Sequence, residues 1–234
     1  MEQEVDGILV AAHELKAPLA VLRQLALSFD EMDSTGEHIR AEMVSVSERA
    51  IRQVNDLTKI RRLEDGLFEM EPVAVRAVCD DVTNELRHLL SRRDGRSLRL
   101  STKYSNRARL VYANRELLYS VVYNFLLNAL RYAGDGTRAE LTVGDSKDRV
   151  KIAVRDYGPS LPVNIWRVVK SGSVEQPVDI AMRPGSSGLG LYIASKFSHY
   201  MNAEIGAVRH RNGTSFFVEL PVSKQASLLY GLRY

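Results

Sequence analysis

Four stretches of this chain carry residue types and spacings suited to chemistry. Near the amino terminus runs Val10-Ala-Ala-His13-Glu14-Leu-Lys-Ala17-Pro18-Leu. A histidine followed at once by a carboxylate, with a proline five residues on, serves no packing pattern, and an imidazole can act as a nucleophile. The competing reading is an ordinary surface histidine, one of five in the chain, since most histidines neither catalyse nor bind metal. Farther on, Asn124 and Asn128 stand four apart in an apolar run, with Arg131 three further along. On a helix, residues at this spacing share a face. Two amides and a guanidinium there are expensive unless something polar binds. Amide oxygens suit a hard cation such as Mg²⁺, and arginine suits phosphate; bridging to the backbone is the other use of such amides.

The third stretch, Asp156-Tyr-Gly158-Pro-Ser160, follows a strand-like alternation. A carboxylate at a strand end can accept a hydrogen bond from an exocyclic amine such as that of adenine, although Asp-x-Gly also makes ordinary turns. The fourth, Gly185-Ser-Ser-Gly188-Leu189-Gly190-Leu, leads into a helical pattern. Glycines before a helix amino terminus let phosphates approach backbone amides. This is not the dinucleotide fingerprint, whose glycines are ordered differently and follow directly after a strand.

These groups need elements to hold them. With 234 residues, 45% apolar and 26% charged, the chain has material for one or two domains with a real core. A net charge of +3 is too small to suggest a nucleic-acid partner. Cys79 is the single cysteine, which excludes an internal disulfide and a cysteine-based metal site. No run approaches the roughly 18 apolar residues of a bilayer span, and the acidic amino terminus lacks the layout of a signal peptide.

Val5, Ile8, Ala12, Leu15, Leu19, Leu22, Ala26 and Phe29 recur in alternating steps of three and four, a heptad seam. After a polar break at 30–37, Ile39, Met43, Val46, Ala50, Leu57 and Ile60 resume the spacing. Two helices joined by a short connection predict an antiparallel hairpin. A second apolar row, Val44, Ile51 and Val54, predicts a homodimer that closes a four-helix bundle, with docking on the chain's own second part as the alternative. His13 falls beside the seam, and Pro18 weakens the helix next to it.

The domain boundaries expected are 1–65 for the hairpin, 66–72 for a linker, 73–222 for a second domain and 223–234 for a tail. In the second domain, periodicity predicts helices over about 73–92, 114–133 and 188–200. Alternation predicts strands at 97–103, 109–112, 138–143, 150–155, 204–209 and 214–220, with Asn212-Gly213 as a hairpin turn. Residues 160–187 read as an irregular lid or binding segment. The fold class expected is α+β.

Taken together and in order, the stretches at His13, at Asn124–Tyr132, at Asp156–Gly158 and at Gly188–Leu191 resemble the H, N and two glycine boxes of bacterial sensor histidine kinases. The resemblance covers about residues 5 to 221. It implies a dimerisation and phosphotransfer hairpin followed by an α/β sandwich ATP-binding domain of the histidine kinase, gyrase and Hsp90 type. It also implies autophosphorylation by ATP and Mg²⁺, then transfer to an aspartate on the receiver domain of a response regulator. Such a chain is cytoplasmic, or the cytoplasmic portion of a longer membrane-bound kinase, with no membrane contact or nucleic-acid partner of its own.

By the same resemblance His13 is the phosphoacceptor, and Glu14 accepts its ring N–H so that the far nitrogen can attack. Asn128 is the main metal ligand, with Asn124 assisting. Arg131 and Tyr132 contact phosphate and nucleotide. Asp156 reads adenine and Gly158 makes its tight turn. Gly185, Gly188, Leu189 and Gly190 surround the phosphates, and the Thr214 hydroxyl lies near adenine. Three positions depart from the family pattern. Ser160 replaces a second glycine, which bears on lid mobility or ATP affinity. Ile165-Trp166-Arg167-Val168 replaces a phenylalanine-rich box. Ala17 stands where phosphatase-competent members carry Thr or Asn, which predicts weak or absent phosphatase activity. An ATPase or serine kinase on the same fold is disfavoured because Asn124 stands where related ATPases place an acid. A non-catalytic dimeric scaffold with a degenerate nucleotide site is the alternative that Ser160 and the altered lid leave standing.

Overall fold

The computed structural model describes residues 19–27, 35–91, 99–105, 110–132, 138–145, 148–170, 174 and 188–223. The chain divides into two compact units, Met1–Asp65 and Gly66–Tyr234. In the first, residues 19–27 are helical (α1), and α2 runs over Thr35–Glu64. Arg61 and Arg62 in its last turn complement the negative end of the helix dipole. Gly66, at φ +66°, takes the left-handed conformation that commonly ends helices. Val46 and Ala50 of the heptad seam are buried, whereas Val44, Ile51 and Val54 are 50%, 60% and 41% exposed.

The second unit is α+β. Its five-stranded sheet has the order β2-β4-β5-β7-β6, with β2 (Arg99–Tyr104), β4 (Arg138–Asp145), β5 (Arg149–Arg155), β6 (Glu204–His210) and β7 (Gly213–Pro221). The β2–β4 pair is parallel and the others are antiparallel. A smaller antiparallel pair joins β1 (Glu71–Ala74) to β3 (Leu110–Ala113). A bridge between Val111 and Val222 connects that pair to the end of β7.

Alternation is why these segments are strands with one buried face. Val150, Ile152 and Val154 of β5 are buried between half-exposed neighbours, as are Phe216, Val218 and Leu220 of β7, and Thr214 is buried on the same face. Helices α3 (Val75–Ser91), α4 (Arg115–Tyr132) and α6 (Leu189–Tyr200) supply the other side of the core. Leu117, Leu118, Phe125, Leu126, Ile193 and Phe197 are fully or almost fully buried. Asn114 caps α4, its Oδ1 accepting the N–H groups of Glu116 and Leu117 at 3.1 Å each. The rings of Phe125 and Phe216 stack at 5.9 Å and so pin α4 onto β7.

Two expectations need correction. Residues 160–187 are not irregular throughout, because Val163–Lys170 forms a helix, α5. Eight residues are too few to display a helical period, yet Ile165 and Val169, four apart, are buried. Its Trp166 Nε1 donates to the Ala207 carbonyl at 3.0 Å, covering part of the edge strand β6. The β6–β7 turn is Arg211-Asn212, since His210 already pairs with Gly213. Gly213 opens β7 at φ +116°.

Truncating the ring that pins α4 to β7 should be costly. Phe125→Ala is expected to lower unfolding free energy by about 3–5 kcal/mol, read by urea denaturation. A loss under about 1 kcal/mol would show that this core repacks around the gap.

Candidate functional site

The buried floor of the site is Asp156, at the end of β5 and only 1% exposed. Its Oδ1 accepts the N–H of Gly158 and the N–H of Thr214, both at 3.1 Å. Its own N–H donates to the Thr214 carbonyl at 2.9 Å. The Thr214 hydroxyl in turn accepts the N–H of Leu161 at 3.0 Å. Three residues singled out from sequence, Asp156, Gly158 and Thr214, therefore form one hydrogen-bonded unit. Gly158 lies in an Asx-type turn, bonded to the side chain two residues before it.

Turn propensity accounts for a glycine at 213, but its real constraint is proximity. A Cβ there would sit 2.1 Å from the Asp156 carbonyl oxygen, so no side chain fits. The sequence shows a glycine at a hairpin, but not what lies against it.

A second group forms where α4 meets α6. The Asn124 amide nitrogen donates to the Ser120 carbonyl at 2.9 Å. Its Oδ1 faces the start of α6, where a Cβ on Gly190 would lie 2.9 Å away, with Asn128 Nδ2 at 3.8 Å. Gly190 is thus what lets the first turn of α6 reach the asparagine face of α4. Gly188, the N-cap, is left-handed at φ 71° and ψ −9°, and no side chain caps the helix. Backbone N–H groups of a first turn without a side-chain cap suit an anion. The Leu189 side chain is fully buried, which leaves only its backbone to meet a ligand.

The Phe125–Phe216 stack joins the two groups, because Phe125 follows Asn124 and Phe216 shares the buried face of β7 with Thr214. Arg131 and Tyr132 close α4, and their side chains lie outside the described residues. His13, Glu14, Ala17 and Gly185 also lie outside them. Among the described residues no cluster of three or more His, Cys, Asp or Glu side chains could hold a metal ion, and no helix is long and apolar enough to cross a membrane.

Sequence reasoning missed the polar groups around the ends of β5 and the β6–β7 hairpin. Arg155 Nη2 donates to Asn212 Oδ1 at 3.2 Å, and its guanidinium lies 4.6 Å from the Tyr157 ring centre. Glu140 is held by Lys103 at 2.7 Å and by Arg138 at 2.9 Å. The hydrogen bond from Lys103 is the main reason its carboxyl is pulled below the ordinary range. His210 Nε2 lies 2.8 Å from the Ser215 hydroxyl. Burial, then the nearby Arg155 charge, lowers the His210 pKa, and Asp156 opposes them. Cys79 is fully buried, its thiol pushed up to about 12 mainly by burial, and so is inert.

A family profile described as histidine kinase-, DNA gyrase B-, and HSP90-like ATPase matches residues 113–224, which hold both groups. The chain is 27% identical over 226 residues to the alginate biosynthesis sensor protein KinB of Pseudomonas aeruginosa, covering 93% of this chain and 37% of that protein. The chain spans about a third to a half of the length of the curated relatives it matches. The Acinetobacter baumannii histidine kinase AdeS superposes with a TM-score of 0.65 at 17% identity, covering 91% of this chain and 98% of that one. ThkA, solved in complex with the response regulator protein TrrA, gives 0.62 at 17% identity over 92% of this chain and 60% of that one. The second unit is a catalytic domain of the bacterial sensor histidine kinase type.

The lowered His210 pKa makes this hairpin sensitive to acid. The folded state resists protonation, so above the ordinary value of 6.5 there is no penalty. As pH falls below that value the unfolded chain binds the proton first, and stability declines. Between about pH 7 and pH 5 the melting temperature of His210→Asn should therefore fall less than that of the unsubstituted protein. Equal slopes would remove His210 as the cause.

Proposed function

We propose that this chain is a protein-histidine kinase of a two-component system, which autophosphorylates on His13 and passes the phosphoryl group to a response regulator. One observation carries the reading. Gly190 brings the start of α6 against the amide face of α4, with the Asn124 oxygen turned toward it. Backbone N–H groups at a helix start suit phosphate, and the Asn124 amide oxygen suits a hard cation. Asp156 and Thr214, fixed to each other at the sheet end, then read the adenine of ATP.

In this reading the side-chain oxygens of Asn128 and Asn124 would hold Mg²⁺. Bound there, the ion offsets charge on the transferred group. Arg131 and Tyr132 lie at the carboxyl end of the same helix, for phosphate and nucleotide contacts. Gly185, Gly188 and the Leu189 backbone border the phosphates. Glu14 accepts the His13 ring N–H, and the opposite nitrogen attacks the γ-phosphorus. A nitrogen–phosphorus bond forms, the bond to the bridging oxygen breaks, and ADP leaves. A regulator aspartate then takes the phosphoryl group from His13.

The exposed row Val44, Ile51 and Val54 supports a homodimer in which α1 and α2 form an antiparallel hairpin, two hairpins making a four-helix bundle. Ala17 cannot orient a water, so the chain is a poor phosphatase.

Incubating the chain with γ-labelled ATP and Mg²⁺ should give an acid-labile, base-stable label that His13→Gln lacks. ATP consumption without protein label would instead make it an ATPase, and neither label nor nucleotide binding would leave a scaffold. Dephosphorylation of its regulator should stay near the regulator's intrinsic rate. Readily measured dephosphorylation that depends on the helical hairpin would overturn the assignment made to Ala17.

A further inference from the structure

The loop from Asp156 to Leu161 is fastened to both strands of the β6–β7 hairpin, and the two fastenings differ in origin. On the β7 side bonds join the loop to Thr214, from the Asp156 N–H, from the Leu161 N–H and onto the Asp156 carboxylate. These use backbone groups and the two side chains already assigned to adenine. On the β6 side the bond comes from Ser160. Its hydroxyl donates to the His210 carbonyl at 2.5 Å, with the Arg211 carbonyl at 3.5 Å. The two acceptors are the last residue of β6 and the first residue of the turn.

From this geometry we infer that Ser160 is a positioning residue for nucleotide binding: its hydroxyl latches the Asp156 loop to the β6 side of the hairpin and holds the adenine-reading acid in its binding geometry. The inference rests on the nucleotide reading above.

The surroundings favour a preset latch. Pro159 fixes its own φ and biases the residue before it toward extended backbone, while Pro162 does the same for Leu161. Leu161, next to Ser160, is thereby held toward extended backbone. The turn that receives the latch is itself held, since Arg155 donates to Asn212 at 3.2 Å. Gly213 leaves no room on the other side, because a Cβ there would lie 2.1 Å from the Asp156 carbonyl oxygen. Removing the hydroxyl frees only the β6 side. Asp156 keeps its bonds to Thr214 and Gly158, but the loop can swing with respect to the turn. The fraction of molecules ready to bind falls, and apparent affinity falls with it. A glycine at this position has no hydroxyl with which to make the latch. Ser160 therefore strengthens the site where its departure from the family pattern would suggest decay.

The test is titration of the full chain with ADP, with Ser160→Ala, Ser160→Gly and the near-isosteric pair Ser160→Thr and Ser160→Val. Loss of one hydrogen bond predicts about a fivefold rise in Kd for Ala, Gly and Val, with Thr within about twofold of the original. With ATP as substrate, KM should rise by the same factor while kcat stays within about twofold. If Ala and Gly fail to melt cooperatively, the comparison of Thr with Val decides. ADP binding by the unsubstituted chain with equal affinity in Thr and Val, or a fall in kcat at unchanged KM, would overturn the latch alone. Failure of the unsubstituted, folded chain to bind ADP would overturn the nucleotide reading, and the latch with it.

Discussion

The buried carboxylate of Asp156 is the constraint on which the sheet end of this domain depends. One oxygen accepts two backbone N–H groups, from Gly158 and from Thr214. A buried acid without such partners would cost several kilocalories per mole or lose its charge. Meeting that demand dictates much of what surrounds it. The loop must double back after Asp156, β7 must begin within reach, and the residue opening β7 must have no side chain. Gly213 satisfies the last condition, with a φ of +116° and no room for a Cβ. Strand pairing reinforces the same register, since Arg155 lies opposite Ser215.

A second constraint operates between α4 and α6. Apolar packing brings the helices together, with Leu126, Ala129, Leu189 and Ile193 buried between or beside them, yet the polar asparagine face lies at one end of the contact. Gly190 resolves the conflict by removing a side chain where Asn124 needs room. Gly188 turns the chain through a left-handed residue before α6 begins, which an L side chain would resist. Gly188 and Gly190, which the family resemblance sets around the nucleotide phosphates, are thus also the ones that backbone conformation and packing require. One residue type answers both demands.

Much of the second unit was legible because its signals are local. β5 and β7 show their period of two in the sequence and keep it in burial. Helix α4 starts within a residue of where periodicity sets it, and Asn114 supplies two capping bonds there that the period does not show. Helix α5 was not legible, since eight residues give too short a sample of a helical period and prolines flank the segment. The β6–β7 turn was displaced by one residue. Asn-Gly is a favoured turn pair by propensity, but here the glycine is used for closeness to Asp156 instead.

The sequence by itself determined which residue types were available for chemistry, in what order, and on which faces of helices and strands they fall. Those properties follow from spacing along the chain and need no partner. The tertiary structure alone decided what each residue touches. Ser160 finds its acceptor 50 residues away and Asp156 its donor 58 residues away. Neither pairing follows from local period, because each depends on the sheet order that sets β7 between β5 and β6. Asn124 and Gly190 likewise meet only because two apolar helix faces pack together. Local pattern specifies the parts, and long-range packing specifies the distances at which they work.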